Sequence, residues 1–108
     1  MKQNRAEETI RRIREMEPLL DECAEATRDL ATQLDRMEAL HDKMAALFGY
    51  YGSADWHEDR EARARGELPA DLKCGVLSED LVYDVITDVR DAAFQMLELA
   101  TDVLKNRI

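Results

Sequence analysis

The chain has 108 residues, enough for one domain with one modest core. Hydrophobic residues make up 45% and charged residues 36%, which is too apolar for a disordered chain and too charged for a membrane protein. The net charge of −9 argues against a nucleic-acid partner, because nucleic-acid-binding faces are normally basic. The sequence contains neither a transmembrane-length apolar run nor a secretory signal, so we expect a cytoplasmic protein with no membrane partner.

A long amphipathic helix is predicted for residues 5–48. Its seam positions recur at alternating gaps of three and four residues over five heptads, which is typical of a helix that packs along one side. Asn4 and Glu7 have capping-box spacing, which places the start of the helix there. Pro18 interrupts the segment, but the register of the seam continues past it, which favours a kink over a loop. The seam comprises Ile13, Met16, Leu20, Cys23, Thr27, Leu30, Leu34, Met37, His41, Met44 and Phe48.

The middle segment, residues 49–77, is predicted to be a structured crossover. Gly49 and Gly52 are expected to end the first helix. Ser53 is the expected N-cap of a short helix, and Gly66 is expected to end that helix. The string PADLK is expected to form one further turn, which Gly75 closes. The segment lacks the serine and glycine repeats of a flexible linker, so we expect it to be folded.

A second long helix is predicted for residues 79–106, with Ser78 as its N-cap. Its apolar residues repeat the three-four spacing, and an apolar helix face must be buried. We therefore predict an all-α fold that forms a single domain over residues 1–108. Two long antiparallel amphipathic helices are joined by the short helical crossover, and the chain is expected to dimerise into a bundle.

From Tyr50 onward, the chain carries the strings YYGSADWHED, GELPADLKCGVLSEDLVYD and MLELATDVLKN. In these strings it resembles a bacterial domain-of-unknown-function family of short helical proteins. The resemblance covers about the second half of the chain, and the first half is similar only in being a long amphipathic helix. It implies a small intracellular helical protein. It transfers no catalytic or ligand-binding residue, because the family has no established activity.

Most of the aromatic residues lie at the crossover and beside it. One interpretation is a pocket for a small ligand, lined where the long helices meet the crossover. The other is that the rings cover the end of the bundle, a role that suits Tyr and Trp because their polar tips can reach water or backbone. We favour the structural interpretation and keep ligand binding as the alternative. The candidate binding residues are Tyr50, Tyr51, Trp56 and Tyr83.

An enzymatic function would need a metal site among the acidic residues. All-α nucleotide pyrophosphohydrolases bind magnesium through an ExxE on one helix and an ExxD on a following helix. Glu22 and Glu25 supply the first motif, whereas Asp88 and Asp91 give only a DxxD much later. The cysteines and histidines show no metal-site spacing either. We predict no enzyme, no metal and no cofactor, and a metal-dependent pyrophosphohydrolase-like enzyme is the second alternative.

The predicted function is that of a noncatalytic helical interaction or structural module that acts through helix–helix association. The first predicted helix is longer than the last by about 16 residues, or about 24 Å at 1.5 Å rise per residue. Antiparallel pairing would leave the stretch before Pro18 without a partner. We predict a homodimer formed through Ile10, Ile13 and Met16 in this stretch. A different helical protein is the alternative partner.

Overall fold

The computed structural model describes residues 2–106, which contain three α-helices and one short 3₁₀ helix. Helix α1 spans Lys2–Tyr50, α2 spans Ala54–Ala64 and α3 spans Glu79–Lys105. The 3₁₀ helix, Gly75–Leu77, lies directly before α3. No strand occurs in this part of the chain, and the order of long helix, helical crossover and long helix is as predicted. The all-α fold class is therefore confirmed.

Helix α1 continues through Pro18 without a break. A proline has no amide hydrogen, so the carbonyl of Arg14, four residues earlier, lacks its helical donor. Both residues are exposed, which leaves that carbonyl open to water. The predicted capping box is wrong, because the helix already begins at Lys2 and Asn4 lies inside it.

Local signals in the sequence set the bounds of α2. Ser53 is its N-cap, and the Ser53 hydroxyl accepts a hydrogen bond of 3.2 Å from the amide of Trp56. At the other end, Gly66 has a φ of +73°, which a side chain would strain. The amide of Gly66 donates to the carbonyl of Arg63, and the amide of Glu67 donates to that of Ala62. These two backbone hydrogen bonds form a Schellman motif, so Gly66 ends the helix as predicted.

The segment between α2 and α3 differs from the prediction in one detail. The amide of Leu72 donates to the carbonyl of Pro69, which forms the expected turn. Gly75 does not close that turn; it begins the 3₁₀ helix, in which Leu77 donates to Cys74. Ser78 then caps α3 as predicted, because its hydroxyl accepts from the amide of Leu81 at 3.3 Å.

The chain divides into two compact units, with the boundary between Asp42 and Lys43. Among the described residues, the first unit consists of α1 alone and has no buried side chain. The second unit holds the end of α1, the crossover and α3. Its core is formed by Trp56, Leu77 and Val82, which are all buried. The single domain stays a prediction.

Apolar side chains are exposed along both long helices of the single chain. On α1 they follow the predicted seam, and on α3 they follow its apolar face. The antiparallel pairing of the two helices stays a prediction, since the side chains that would form it are exposed here. No helix within residues 2–106 combines the length and the apolar character needed to cross a membrane. The exposed apolar residues include Leu20, Leu30, Leu34, Met37, Phe94, Met96, Leu97, Leu99 and Leu104.

Candidate functional site

Trp56 forms the centre of the crossover. The sequence places it on the first turn of α2, directly after the Ser53 cap, and its side chain is only 3% exposed. The indole N–H donates to the backbone carbonyl of Val76 at 2.9 Å. This bond ties α2 to the 3₁₀ helix and satisfies the polar edge of a buried ring. Trp56 is therefore part of the core and is not available as a ligand-facing ring.

The side chains of Tyr51 and Arg60 contact the indole. The ring of Tyr51 lies 5.0 Å from it, centroid to centroid, at an interplanar angle of 58°. The guanidinium of Arg60 lies 4.6 Å from the centroid of the Trp56 ring, which is cation–π geometry. Arg60 also donates to the carboxylate of Glu79 at 3.1 Å, and so it connects α2 to the first turn of α3. These contacts support the structural interpretation of the aromatic residues.

Tyr50 makes a separate contact at the end of α1. Its hydroxyl donates to a carboxylate oxygen of Asp59 at 2.5 Å. This hydrogen bond is the main reason why the pKa of Tyr50 rises from 10.0 to about 12, and desolvation adds to the effect. Tyr50 also lines an apolar cavity of about 210 Å³ beside Leu68, Leu72 and Cys74.

The four predicted binding residues therefore do not form one site. Tyr51 and Trp56 are in contact, and Tyr50 lines the small cavity. Tyr83 is exposed, and no aromatic contact joins it to the other rings within residues 2–106. The cavity beside Tyr50 is smaller than the roughly 300–1,000 Å³ of typical small-molecule sites. Ligand binding by these four residues therefore has little geometric support. A larger cavity of about 560 Å³ lies beside Arg60 and Glu79, and none of the four lines it.

The sequence analysis missed three residues that hold the crossover together, namely Asp59, Arg60 and Val76. Arg60 follows Trp56 by four residues, and side chains at this spacing meet on one face of a helix. That spacing was a usable signal for the cation–π contact. The carbonyl of Val76 had no such signal, because it lies twenty residues away in the chain from Trp56.

The acidic residues considered for metal binding are exposed on their helices. Glu22 and Glu25 lie on α1, and Asp88 and Asp91 lie on α3. In the described part of the chain, no group of three acidic, histidine or cysteine side chains has an arrangement that could hold a metal ion. Cys23 is exposed on the seam and Cys74 is half-buried.

The predicted self-association residues lie together on one side of α1. Ile10, Ile13 and Met16 are 46–56% exposed in the single chain, and Leu20 continues the row. Surface apolar residues that occur singly are normal, whereas a contiguous row of large ones is typical of an interaction site. The row lies in the first unit, and no side chain is buried over residues 3–42 of that unit.

The chain matches a known protein family. Residues 13–99 match the profile of a family described as a domain of unknown function, DUF4298. The chain belongs to the DUF4298 family. The match covers the whole crossover and extends into α1 as far as Ile13. It therefore reaches beyond the second half of the chain, which carries the family's characteristic strings. No curated protein matches this DUF4298 chain significantly. No solved structure does so either.

Proposed function

We propose that this DUF4298 protein is a noncatalytic helical module that associates with a second copy of itself through α1. The observation that carries the proposal is the exposed row of Ile10, Ile13, Met16 and Leu20. Burial of one such side chain contributes about 1.5–3 kcal/mol. A twofold pair of chains buries each row against its copy, and twofold dimers are by far the commonest closed oligomers.

The single chain also gives α1 little support of its own over residues 2–42. An isolated helix is marginal in water, and most of the stability of protein helices comes from packing of the apolar face. Over residues 3–42, no buried side chain provides such packing. A partner helix supplies it, and a second copy of this chain provides a matching apolar row.

The alternatives have weaker support. A small-molecule binder needs a pocket, and the rings at the crossover are either buried, as for Trp56, or beside a cavity of about 210 Å³. An enzyme needs a set of catalytic groups, and within residues 2–106 the group with a shifted pKa that lines a cavity is Tyr50, whose shift comes mainly from its hydrogen bond to Asp59. The acidic net charge is unsuited to a nucleic-acid partner.

Analytical ultracentrifugation of the full chain tests the proposal. We expect a dimer at tens of micromolar for the natural sequence and a monomer for the double variant Ile13→Gln, Met16→Gln. Both side chains are exposed in the single chain, so their loss leaves the packing within each chain intact. The matched control is Glu8→Gln, Arg11→Gln, which changes two exposed residues on the other side of the same helix and keeps the net charge.

Two outcomes contradict the proposal. One is a monomeric natural chain at tens of micromolar. The other is a double variant that dimerises as strongly as the natural chain, which places the interface away from the row on α1.

A further inference from the structure

The N-terminal part of α1 consists of two segments of opposite charge. The basic segment, residues 3–14, has four arginines and two glutamates, a net charge of +2. The acidic segment, residues 15–25, has five acidic residues and no basic one, a net charge of −5. Because α1 is one continuous helix through both, their spacing along the axis is fixed. The charge changes sign between Arg14 and Glu15.

The alternation of the apolar seam is symmetric about a point every three and a half residues, and one of these points lies between Arg14 and Glu15. Extended toward the N-terminus with the same alternation of gaps, the seam includes Thr9 and Ala6 as well as Ile13, Met16, Leu20 and Cys23. An antiparallel copy related by a twofold axis between Arg14 and Glu15 places residue 13 opposite 16, residue 9 opposite 20, and residue 6 opposite 23. Residues 6, 13 and 20 are heptad a positions, and residues 9, 16 and 23 are d positions. Every layer then joins an a position to a d position, as antiparallel knobs-into-holes packing requires.

We propose that two copies of α1 pair antiparallel about this axis, so that the basic segment of each chain lies along the acidic segment of the other. The inference rests on the proposed function and adds the orientation and register of the partner. Among the centres that the alternation of the seam allows, the change of charge sign selects this one. Arg11 and Glu25 lie on the side of α1 opposite the seam, and without them the two segments still carry opposite net charge. Opposite charge on neighbouring surfaces steers association and fixes register.

Two local details fit this interface. Thr9 is the polar member of the central layers, and its hydroxyl already donates to the carbonyl of Arg5 at 2.8 Å, so no hydroxyl donor needs a partner across the seam. Pro18 is seven residues from Arg11 and from Glu25, on the side of α1 opposite the seam. The proline therefore stays outside the interface, and the seam passes it without interruption.

A parallel dimer in the same seam is the competing arrangement. It would place the basic segments side by side and the acidic segments side by side, which repels at both ends. It would also bring Cys23 of one chain into the same layer as Cys23 of the other. In the antiparallel register those two thiols are about 26 Å apart along the axis, because each lies opposite Ala6.

Disulfide trapping in the full chain distinguishes the two. The starting variant is Cys74→Ala, which leaves Cys23 as the chain's one thiol. Adding Ala6→Cys is expected to give a covalent dimer on mild oxidation, with the bond between the new thiol and Cys23 of the second copy. A bond within one chain is impossible, since the two positions are about 26 Å apart on one helix and a disulfide spans at most about 7 Å between Cα atoms.

The matched controls are Cys74→Ala alone and Cys74→Ala with Arg11→Cys, which puts the new thiol on the opposite side of α1. Neither is expected to form the covalent dimer. Raising NaCl from about 0.1 M to about 1 M is expected to weaken the dimer several-fold, because the Debye length falls from about 10 Å to about 3 Å.

Each other outcome overturns the inference. Trapping of Cys74→Ala alone through Cys23 identifies the parallel arrangement, and a dimer strengthened by NaCl contradicts the proposed charge pairing. Failure of Ala6→Cys to trap while the natural chain sediments as a dimer refutes the register and leaves the proposed function standing. A natural chain that sediments as a monomer refutes both.

Discussion

The crossover and the N-terminal part of α1 are both helical, yet only the crossover buries apolar side chains within the described chain. In the crossover, Trp56 is enclosed by side chains from its own helix and by the 3₁₀ helix that follows. Over residues 3–42, none of the apolar side chains of α1 is buried, and most are exposed in the single chain. An apolar stripe therefore shows that a helix face needs covering, and the contacts of the neighbouring segments decide whether the chain itself covers it.

The largest expected effect is the loss of folding stability when the core of the crossover is disrupted. Trp56→Ala removes the largest buried side chain together with the bond to Val76, and truncation of a buried aromatic costs about 3–5 kcal/mol. Urea denaturation followed by circular dichroism measures the loss. Tyr83→Ala, at an exposed ring, is the control and is expected to stay within about 0.5 kcal/mol. A loss below about 1 kcal/mol for Trp56→Ala would show that the core lies elsewhere.

The second effect is a dependence on concentration that only one region shows. If α1 is stabilised by a second copy, a hundredfold dilution raises its exchange rate about tenfold, equivalent to about 1.4 kcal/mol per chain. Amide hydrogen exchange is expected to show this change over residues 6–23 and no change over Ala54–Ala64. Equal changes in the exchange rates of the two regions on dilution would contradict the stabilisation of α1 by a second copy. The variant Ile13→Gln, Met16→Gln is expected to exchange fast over residues 6–23 at every concentration.

Two glycines at the junction of α1 and the crossover give effects of opposite sign. Gly49 lies inside α1 with open space around it, so Gly49→Ala is expected to stabilise by about 0.5–1 kcal/mol. Gly52 has a φ of +78°, and Gly52→Ala is expected to cost about 1 kcal/mol although its surroundings are equally open. Thermal melts of the two variants measure the difference. The same sign for both would mean that the helix end is not fixed at Tyr50.

The smallest effect concerns the bond between Tyr50 and Asp59, which depends on pH. The pKa of Tyr50 is raised to about 12, so the bond stabilises the fold below pH 10 and its contribution is lost as the pH rises through about 12. We expect about 0.5 kcal/mol, because the pair is near the surface.

Ultraviolet absorbance follows the ionisation of Tyr50 directly. Tyr50→Phe is expected to remove the step near pH 12, and Asp59→Asn is expected to lower the pKa of Tyr50 toward 10.0. Tyr83→Phe is the matched control and keeps that step. A step near pH 12 that survives in Tyr50→Phe assigns it to another group.

The parts of this fold that follow local rules could be predicted from the sequence. The caps at Ser53 and Ser78 and the helix end at Gly66 each depend on the few residues beside them. The position of Gly75 was wrongly interpreted, because a glycine can open a 3₁₀ turn as readily as it closes one. The capping box at Asn4 was wrong because its spacing also occurs inside a helix.

The contacts that organise the crossover depend on residues far apart in the chain. Trp56 bonds to a carbonyl twenty positions later, and Arg60 bonds to Glu79. The helical periodicity of the sequence does not reveal such pairs, because the path of the backbone between the helices brings them together. Ile10, Ile13 and Met16 are exposed on α1, and their role in self-association stays a prediction.

The burial of Trp56 has an optical consequence. It is the single tryptophan of the chain, so all indole fluorescence comes from the crossover. Tyr51, with its ring 5.0 Å away, is close enough to transfer its excitation to the indole. Because the indole is shielded, we expect emission shifted to the blue and protected from dissolved quenchers. Separation of two α1 helices would leave that emission unchanged, whereas opening of the crossover would shift it to the red. Trp56 fluorescence therefore reports on the crossover and does not report on the association of α1.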